Sequence, residues 1–269
     1  MLGDPQIIAE AKIDVQQADT YILCTSPRSG STMLCSLLAA TGCAGRPASY
    51  FHEPDVRLWL KRLNLDVPAT AGRAEDYALA FSTAMRTGDD HGGVFGLRLQ
   101  RHSFETFMGG VRLQGAERLS DRAAIEHVFG KTVFIHLTRQ DKLGQAISYV
   151  KADQTGLWHQ APDGTEIERL SAPKDPAYDG RLLKRQVDVF LENDRAWEDW
   201  FQAQQIAPTR IEYKDLSENP KRSVAQVLQA IGQSPEHAAQ ITPKTAKLAD
   251  KVNAAWRDRY IEEFGAPEP

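Results

Sequence analysis

Apolar positions in this chain follow two rhythms. "YILCT" (Tyr21 to Thr25) is an unbroken apolar run with β-favouring residues, which suits a buried strand. From Ser31 the rhythm changes. Met33, Leu34, Leu37 and Leu38 share one helical stripe, and Gly42 stands where it can end the helix. The succession then repeats. "GVFGLRLQ" (93–100) and "KTVFIHLTR" (131–139) read as a second and a third strand. Leu143, Ala146, Ile147 and Val150 follow at helical spacing. Residues 178–205 carry one long stripe of Leu183, Val187, Phe190, Leu191, Trp197 and Phe201, and "TRIEY" (209–213) reads as a fourth strand. Asn219-Pro220 then offers a cap and a first-turn proline. Val224, Val227, Leu228 and Ile231 form the next stripe, closed by Gly232. "AAWRDRYIEEF" predicts a short C-terminal helix. Residues 153–176, rich in Gly, Pro and Asp, have no period and predict a long lid loop. Strands alternating with helices predict an α/β fold: a parallel β-sheet flanked by helices, with helical and loop insertions.

Composition narrows this picture. A chain of 269 residues fits one domain over 1–269, with 1–19 as an N-terminal extension. Lys plus Arg number 32 and Asp plus Glu 36, a formal charge of −4. That balance argues against wholesale nucleic-acid binding but permits a local basic pocket. No apolar run reaches the length of a membrane span, and the N-terminus lacks the basic start and apolar core of a signal peptide. Cys24, Cys35 and Cys43 are odd in number and show no metal spacing. They predict reduced, buried thiols and a cytoplasmic location.

Two strand-to-helix junctions carry anion-binding residues. The first is Ser26-Pro27-Arg28-Ser29-Gly30-Ser31-Thr32. Gly30 lets the backbone approach a ligand, and the helix N-terminus directs free N–H groups at an anion. Ser29, Ser31 and Thr32 add hydroxyls, and Arg28 adds a bidentate charge. The loop departs from the nucleoside-triphosphate pattern, because Ser31 stands where the lysine belongs and the leading glycine is missing. The second junction is Thr138-Arg139, with Ser148 in the following helix able to look back toward it. Two anion sites on one sheet edge, with no metal site expected, point to a nucleotide phosphorylated at both ends.

"YILCTSPRSGSTMLCSLLAATG", "IHLTRQDKLGQAISY", "QTGLWH" and "WRDRY" together resemble the Stf0 sulfotransferases, over roughly residues 21–260. The resemblance implies a P-loop-like sulfotransferase fold and 3′-phosphoadenosine 5′-phosphosulfate (PAPS) as sulfuryl donor, leaving adenosine 3′,5′-bisphosphate (PAP). It gives Ser26 to Thr32 the phosphosulfate and Arg139 and Ser148 the 3′-phosphate. It brings Trp256, Arg257 and Arg259 in to close over the nucleotide. It also implies a carbohydrate or glycolipid acceptor, and a homodimer.

The acceptor's proton needs a base. The family's segment resembles Gly-Glu-Pro, and its glutamate is the proposed base, but here Arg46 takes that place. Arginine is a poor base. His52 and Glu53, in "GRPASYFHEPD", are the nearest replacements, and Arg46 could bind an acidic acceptor or join a salt bridge. Arg98 matches a family lysine and could touch the acceptor or the sulfuryl oxygens. Trp158 and His159 in the lid could stack on a sugar and bond its hydroxyls. Two other functions fit the same residues: a lysine-less P-loop kinase, and a nucleotide-binding protein without catalysis.

Overall fold

Strand β1 (Thr20–Thr25) is buried along its whole length and forms the axis of the fold. The computed structural model describes residues 19–52, 54–65, 72–89, 93–160, 163–242 and 251–266. Helix α1 (Ser31–Ala40) follows the first loop, then α2 (Val56–Arg62) and α3 (Arg73–Gly88) precede β2 (Phe95–Gln100). Helices α4 (Phe104–Arg112) and α5 (Asp121–Phe129) lead to β3 (Thr132–Thr138), and α6 (Lys142–Thr155) follows it. A short hairpin, β4 (Leu157–Gln160) and β5 (Glu166–Arg169), precedes the long α7 (Gly180–Ala203). The chain continues through β6 (Thr209–Glu212), α8 (Tyr213–Glu218) and α9 (Pro220–Ala230) to α10 (Lys251–Phe264).

The main sheet runs β2-β1-β3-β6, with every pairing parallel. β2 lies on one side of β1 and β3 on the other, so the connections leave β1 in opposite directions. That is the switch point at which open α/β sheets form ligand crevices beyond their carboxyl ends.

Side chains alternate along β1 and divide the core in two. Ile22 and Cys24 face a layer rich in aromatic residues, where Phe51 packs on Trp59, Phe81 and Phe107 at ring separations of 5.0, 5.1 and 5.7 Å. Each buried ring contributes about 1.5–3 kcal/mol. Tyr21 and Leu23 face α1 and α9, whose stripes include Leu34, Leu38, Val224 and Leu228. A third cluster joins α6, α7 and α10 through Ile147, Val187, Phe190, Trp256 and Tyr260. Cys24 and Cys35 are buried free thiols, and Cys43 is half-buried.

All four strands and the helices after β1 and β3 lie where the sequence places them, as do α7, α9 and α10. Helix α9 begins at Pro220 and stops just before Gly232, whose φ is 78°. Two expectations are corrected. The lid segment 153–176 is not a loop throughout: α6 runs to Thr155, and a bulged antiparallel hairpin follows. Helices α2 to α5 also fill a stretch for which the sequence predicted no helices. The N-terminal extension, through residue 18, lies outside the described residues.

Candidate functional site

A cavity of about 1010 Å³ opens at the carboxyl edge of the sheet. The loops after β1, β2 and β3 reach it, together with the start of α8 and the β4–β5 hairpin.

The loop after β1 is shaped by two left-handed residues, Arg28 at φ 62° and Gly30 at φ 89°. A Cβ on Gly30 would lie 2.5 Å from the Tyr213 ring, so only glycine fits there. Thr25 fixes the base of the loop. Its hydroxyl donates to Leu137 O on β3 at 2.9 Å and lies 2.5 Å from Ser29 Oγ. Ser29 in turn donates to Ser26 O at 2.9 Å. Ser29 therefore spends its hydroxyl inside the loop, which corrects its expected use as a ligand donor. Ser26 is buried, with its Oγ unpartnered among the described residues. Pro27, Arg28, Gly30, Ser31 and Thr32 reach the cavity wall. Pro27 O is held from below by Gln145 Nε2 at 2.7 Å, a contact the sequence did not disclose.

The two predicted anion sites form one continuous basic wall. Arg28 Nε donates to Ser148 Oγ at 2.9 Å, and Arg139 Nη1 donates to Arg28 O at 3.3 Å. The Arg139 guanidinium lies over the Tyr213 ring, 4.7 Å from its centroid, and its buried Nε has no partner among the described residues. Burial, then repulsion from Arg139, presses the Arg28 guanidinium down to about 10. Two arginines held together in this way call for an anion between them.

Asp141, at the rim, caps α6 by accepting from Gly144 N at 2.9 Å. It takes Arg257 of α10 at 2.6 Å and lies 3.6 Å from Arg139. A Cβ on Gly144 would come within 2.7 Å of both guanidiniums, so the glycine makes room for this cluster. Arg257 thus meets the site through Asp141. Trp256 and Arg259 do not join it. Trp256 is buried in the third core cluster, and Arg259 stacks on Tyr178 at 4.1 Å while pairing with Glu263.

The opposite wall carries the acceptor candidates. Arg98 Nη1 donates to Thr32 Oγ1 and its Nε to Ser49 Oγ, both at 2.7 Å. Trp158 packs edge-on against Tyr149 at 5.6 Å, and its carbonyl accepts from Arg28 Nη1 at 2.6 Å. His159 Nε2 lies 3.1 Å from Thr32 Oγ1 and 3.3 Å from Glu168. Burial, then Arg28 and Arg98, press its imidazole down to about 4. His52 lines the cavity with its Nδ1 3.3 Å from His102 Nε2, and burial, then His52, lowers the His102 pKa. Glu53 lies outside the described residues. Arg46 is exposed and absent from the cavity wall, because Gly45 at φ 63° turns the chain against Val94 and Gly88. The structure does not bring it to the cavity wall.

Sequence reasoning missed His102, Glu168, Arg62 and Tyr213, which all line the cavity. "RHS" after the second strand and the alternating "EIER" were the available signals. Among the described residues, no three His, Cys, Asp or Glu side chains stand together as metal ligands would. No described helix is long and apolar enough to cross a membrane.

The Stf0 sulphotransferase family profile matches residues 20–263. The trehalose 2-sulfotransferase of Mycobacterium tuberculosis (strain Erdman) is 31% identical over 267 residues, covering 90% of this chain and 94% of that protein. The trehalose 2-sulfotransferase of Mycolicibacterium smegmatis is 29% identical over 265 residues, covering 89% and 93%. Among solved structures, the sulfotransferase domain of the Synechococcus PCC 7002 olefin synthase is similar over 96% of this chain and 98% of its own. Its TM-score is 0.43 and its identity 13%.

Proposed function

The chain belongs to the Stf0 sulphotransferase family, and on that premise we propose that it moves the sulfuryl group of PAPS to a hydroxyl of a carbohydrate or glycolipid. The observation that carries this reading is the Arg28–Arg139 pair: both side chains line the cavity, Arg139 donates to the Arg28 carbonyl, and its Nε is buried with no partner among the described residues. It fits a ligand with several negative charges and needs no lysine in the loop.

PAPS, when bound, supplies an activated sulfuryl group on a phosphate leaving group. This chain does the rest. The amides from Gly30 to Thr32, at the N-terminus of α1, hold the phosphosulfate. Arg139 and Ser148 hold the 3′-phosphate. Arg28 touches both regions and stabilises charge on the departing phosphate, while Arg98, fixed by Thr32 and Ser49, faces the sulfuryl oxygens. The hairpin covers this chemistry, and Trp158 offers an apolar ring to a sugar. An imidazole of the cavity takes the acceptor's proton, and His52, which with Glu53 is one of the two bases read from the sequence, is one of three that line it. The relatives that act on trehalose make a disaccharide the first acceptor to try.

PAP titration with and without magnesium tests the donor half, and labelled PAPS offered to sugars and glycolipids tests the acceptor half. Tight magnesium-independent PAP binding with label transfer is expected. Dependence on ATP and magnesium would instead indicate a kinase, and PAP binding without transfer a non-catalytic binder.

A further inference from the structure

We infer that His159, oriented by Glu168, is the general base that deprotonates the acceptor hydroxyl, so the base comes from the lid hairpin and not from the segment after α1. The inference rests on the sulfotransferase reading above and assigns its missing proton acceptor.

Position is the first argument. Of the three cavity histidines, His159 is the one whose ring contacts the loop after β1, with Nε2 3.1 Å from Thr32 Oγ1. Thr32 stands in the first turn of α1, and its hydroxyl also receives Arg98 Nη1 at 2.7 Å. His52 and His102 instead direct ring nitrogens at each other, 3.3 Å apart. In that contact one imidazole's lone pair is engaged by the other's N–H.

Tautomer is the second argument. Glu168 lies 3.3 Å from the same Nε2. A carboxylate accepts and does not donate, so it favours the tautomer with the proton on Nε2. The lone pair is then left on Nδ1, which makes no hydrogen bond among the described residues. A carboxylate beside one ring nitrogen, with the other left to take a proton, is similar to the orienting arrangement of known imidazole bases.

Charge is the third argument. The charged groups facing His159 are Arg28 from the β1 loop, Arg98 from β2 and Glu168 from β5. Burial, then the two guanidiniums, keep the imidazole neutral in the free protein. An anion bound between those guanidiniums cancels their repulsion and raises the basicity of the ring as the donor arrives. In the step, the acceptor O–H bond breaks and its proton goes to Nδ1. The acceptor oxygen forms a bond to sulfur as the sulfur–oxygen bond to the phosphate breaks. That electron pair leaves with PAP.

The test compares wild type with His159→Asn and Glu168→Gln, using PAP binding, histidine NMR titration, and PAPS consumption with trehalose or water as probe acceptor. In wild type, PAP should raise the His159 pKa from about 4 by roughly one unit or more. His159→Asn should bind PAP within about 3-fold of wild type yet consume PAPS about 10²–10⁴-fold more slowly. It should also lose the acidic limb of the kcat profile. Glu168→Gln should fall roughly 10-fold and shift that limb. Near-wild-type turnover by His159→Asn, or an unmoved His159 pKa, overturns the base assignment and leaves the sulfotransferase reading standing. Wild type that binds PAP yet consumes PAPS with neither acceptor also counts against a competent base at His159. Failure of wild type to bind PAP removes the sulfotransferase reading itself, and the assignment with it.

Discussion

The loop after β1 and the β4–β5 hairpin face each other across one cavity, yet they are held by different means. The loop is tied from within and below. Thr25 reaches Leu137 across the sheet, Ser29 closes on Ser26, Gln145 holds Pro27, and Trp197 Nε1 donates to Thr25 O at 3.1 Å. The hairpin has two short, bulged strands, half-buried or exposed, and includes Ile167, a large apolar side chain that is 54% exposed. Among the described residues, its bonds to the loop side are Arg28 to Trp158 O and Thr32 with His159. A preformed wall costs little reorganisation when an anion arrives, whereas a lightly held wall can part and close. On the proposed function, the wall tied from within serves the donor common to sulfotransferases, and the hairpin serves whichever acceptor this chain takes.

Mutations can break that division. Arg28→Ala strikes both walls, because it removes a guanidinium of the anion wall and the bond to Trp158 O. It should lower kcat/KM for transfer by about 10³-fold, read from initial rates, with PAP affinity falling too. Arg139→Ala confines the damage to the donor wall and should weaken PAP about 10–100-fold by titration calorimetry. Trp158→Ala confines it to the acceptor wall. The acceptor KM should rise up to about 10-fold while the PAP Kd stays within roughly 3-fold. Equal losses in both constants would mean that the two walls are not separable.

Ser29→Ala probes the loop's internal tie and should cost about 1 kcal/mol in a denaturant melt, with less effect on PAP affinity than Thr32→Val. The smallest expected effect is on acid stability. His159 in the folded protein sits near 4, against an ordinary 6.5. The unfolded chain therefore takes its proton first as pH falls. This contribution is whole above about 6.5 and declines toward about 4, and His159→Asn should flatten the denaturation midpoint over that window. His136, also lowered chiefly by burial, acts with the same sign.

The wall built by the loops after β1 and β3 was legible in the sequence because its residues are local. A buried strand, a Ser/Gly turn and a helical stripe occupy consecutive residues, and Arg139 follows the third strand directly. Its limits show at Ser29, whose hydroxyl turns inward for a reason set by Thr25 and the neighbouring strand. The acceptor wall assembles from distant segments. His159 meets Thr32 across 127 positions, and His102 meets His52 across 50. No spacing rule reports such contacts. Helix α3 was legible too, because its buried face carries Tyr77, Ala80, Phe81 and Ala84 at helical spacing, but that stripe went unread. Helix α4 escaped because Gly109 and Gly110 interrupt it.

The bond from Arg28 to Trp158 O has a consequence for the rhythm of turnover. On the proposed function, the arginine that would grip the spent nucleotide also fastens the hairpin through Trp158 O, so one latch would serve both, and PAP release and opening of the hairpin would be coupled. A faster lid would therefore hold its nucleotide less well, which sets a ceiling on how far speed can be improved without losing donor affinity.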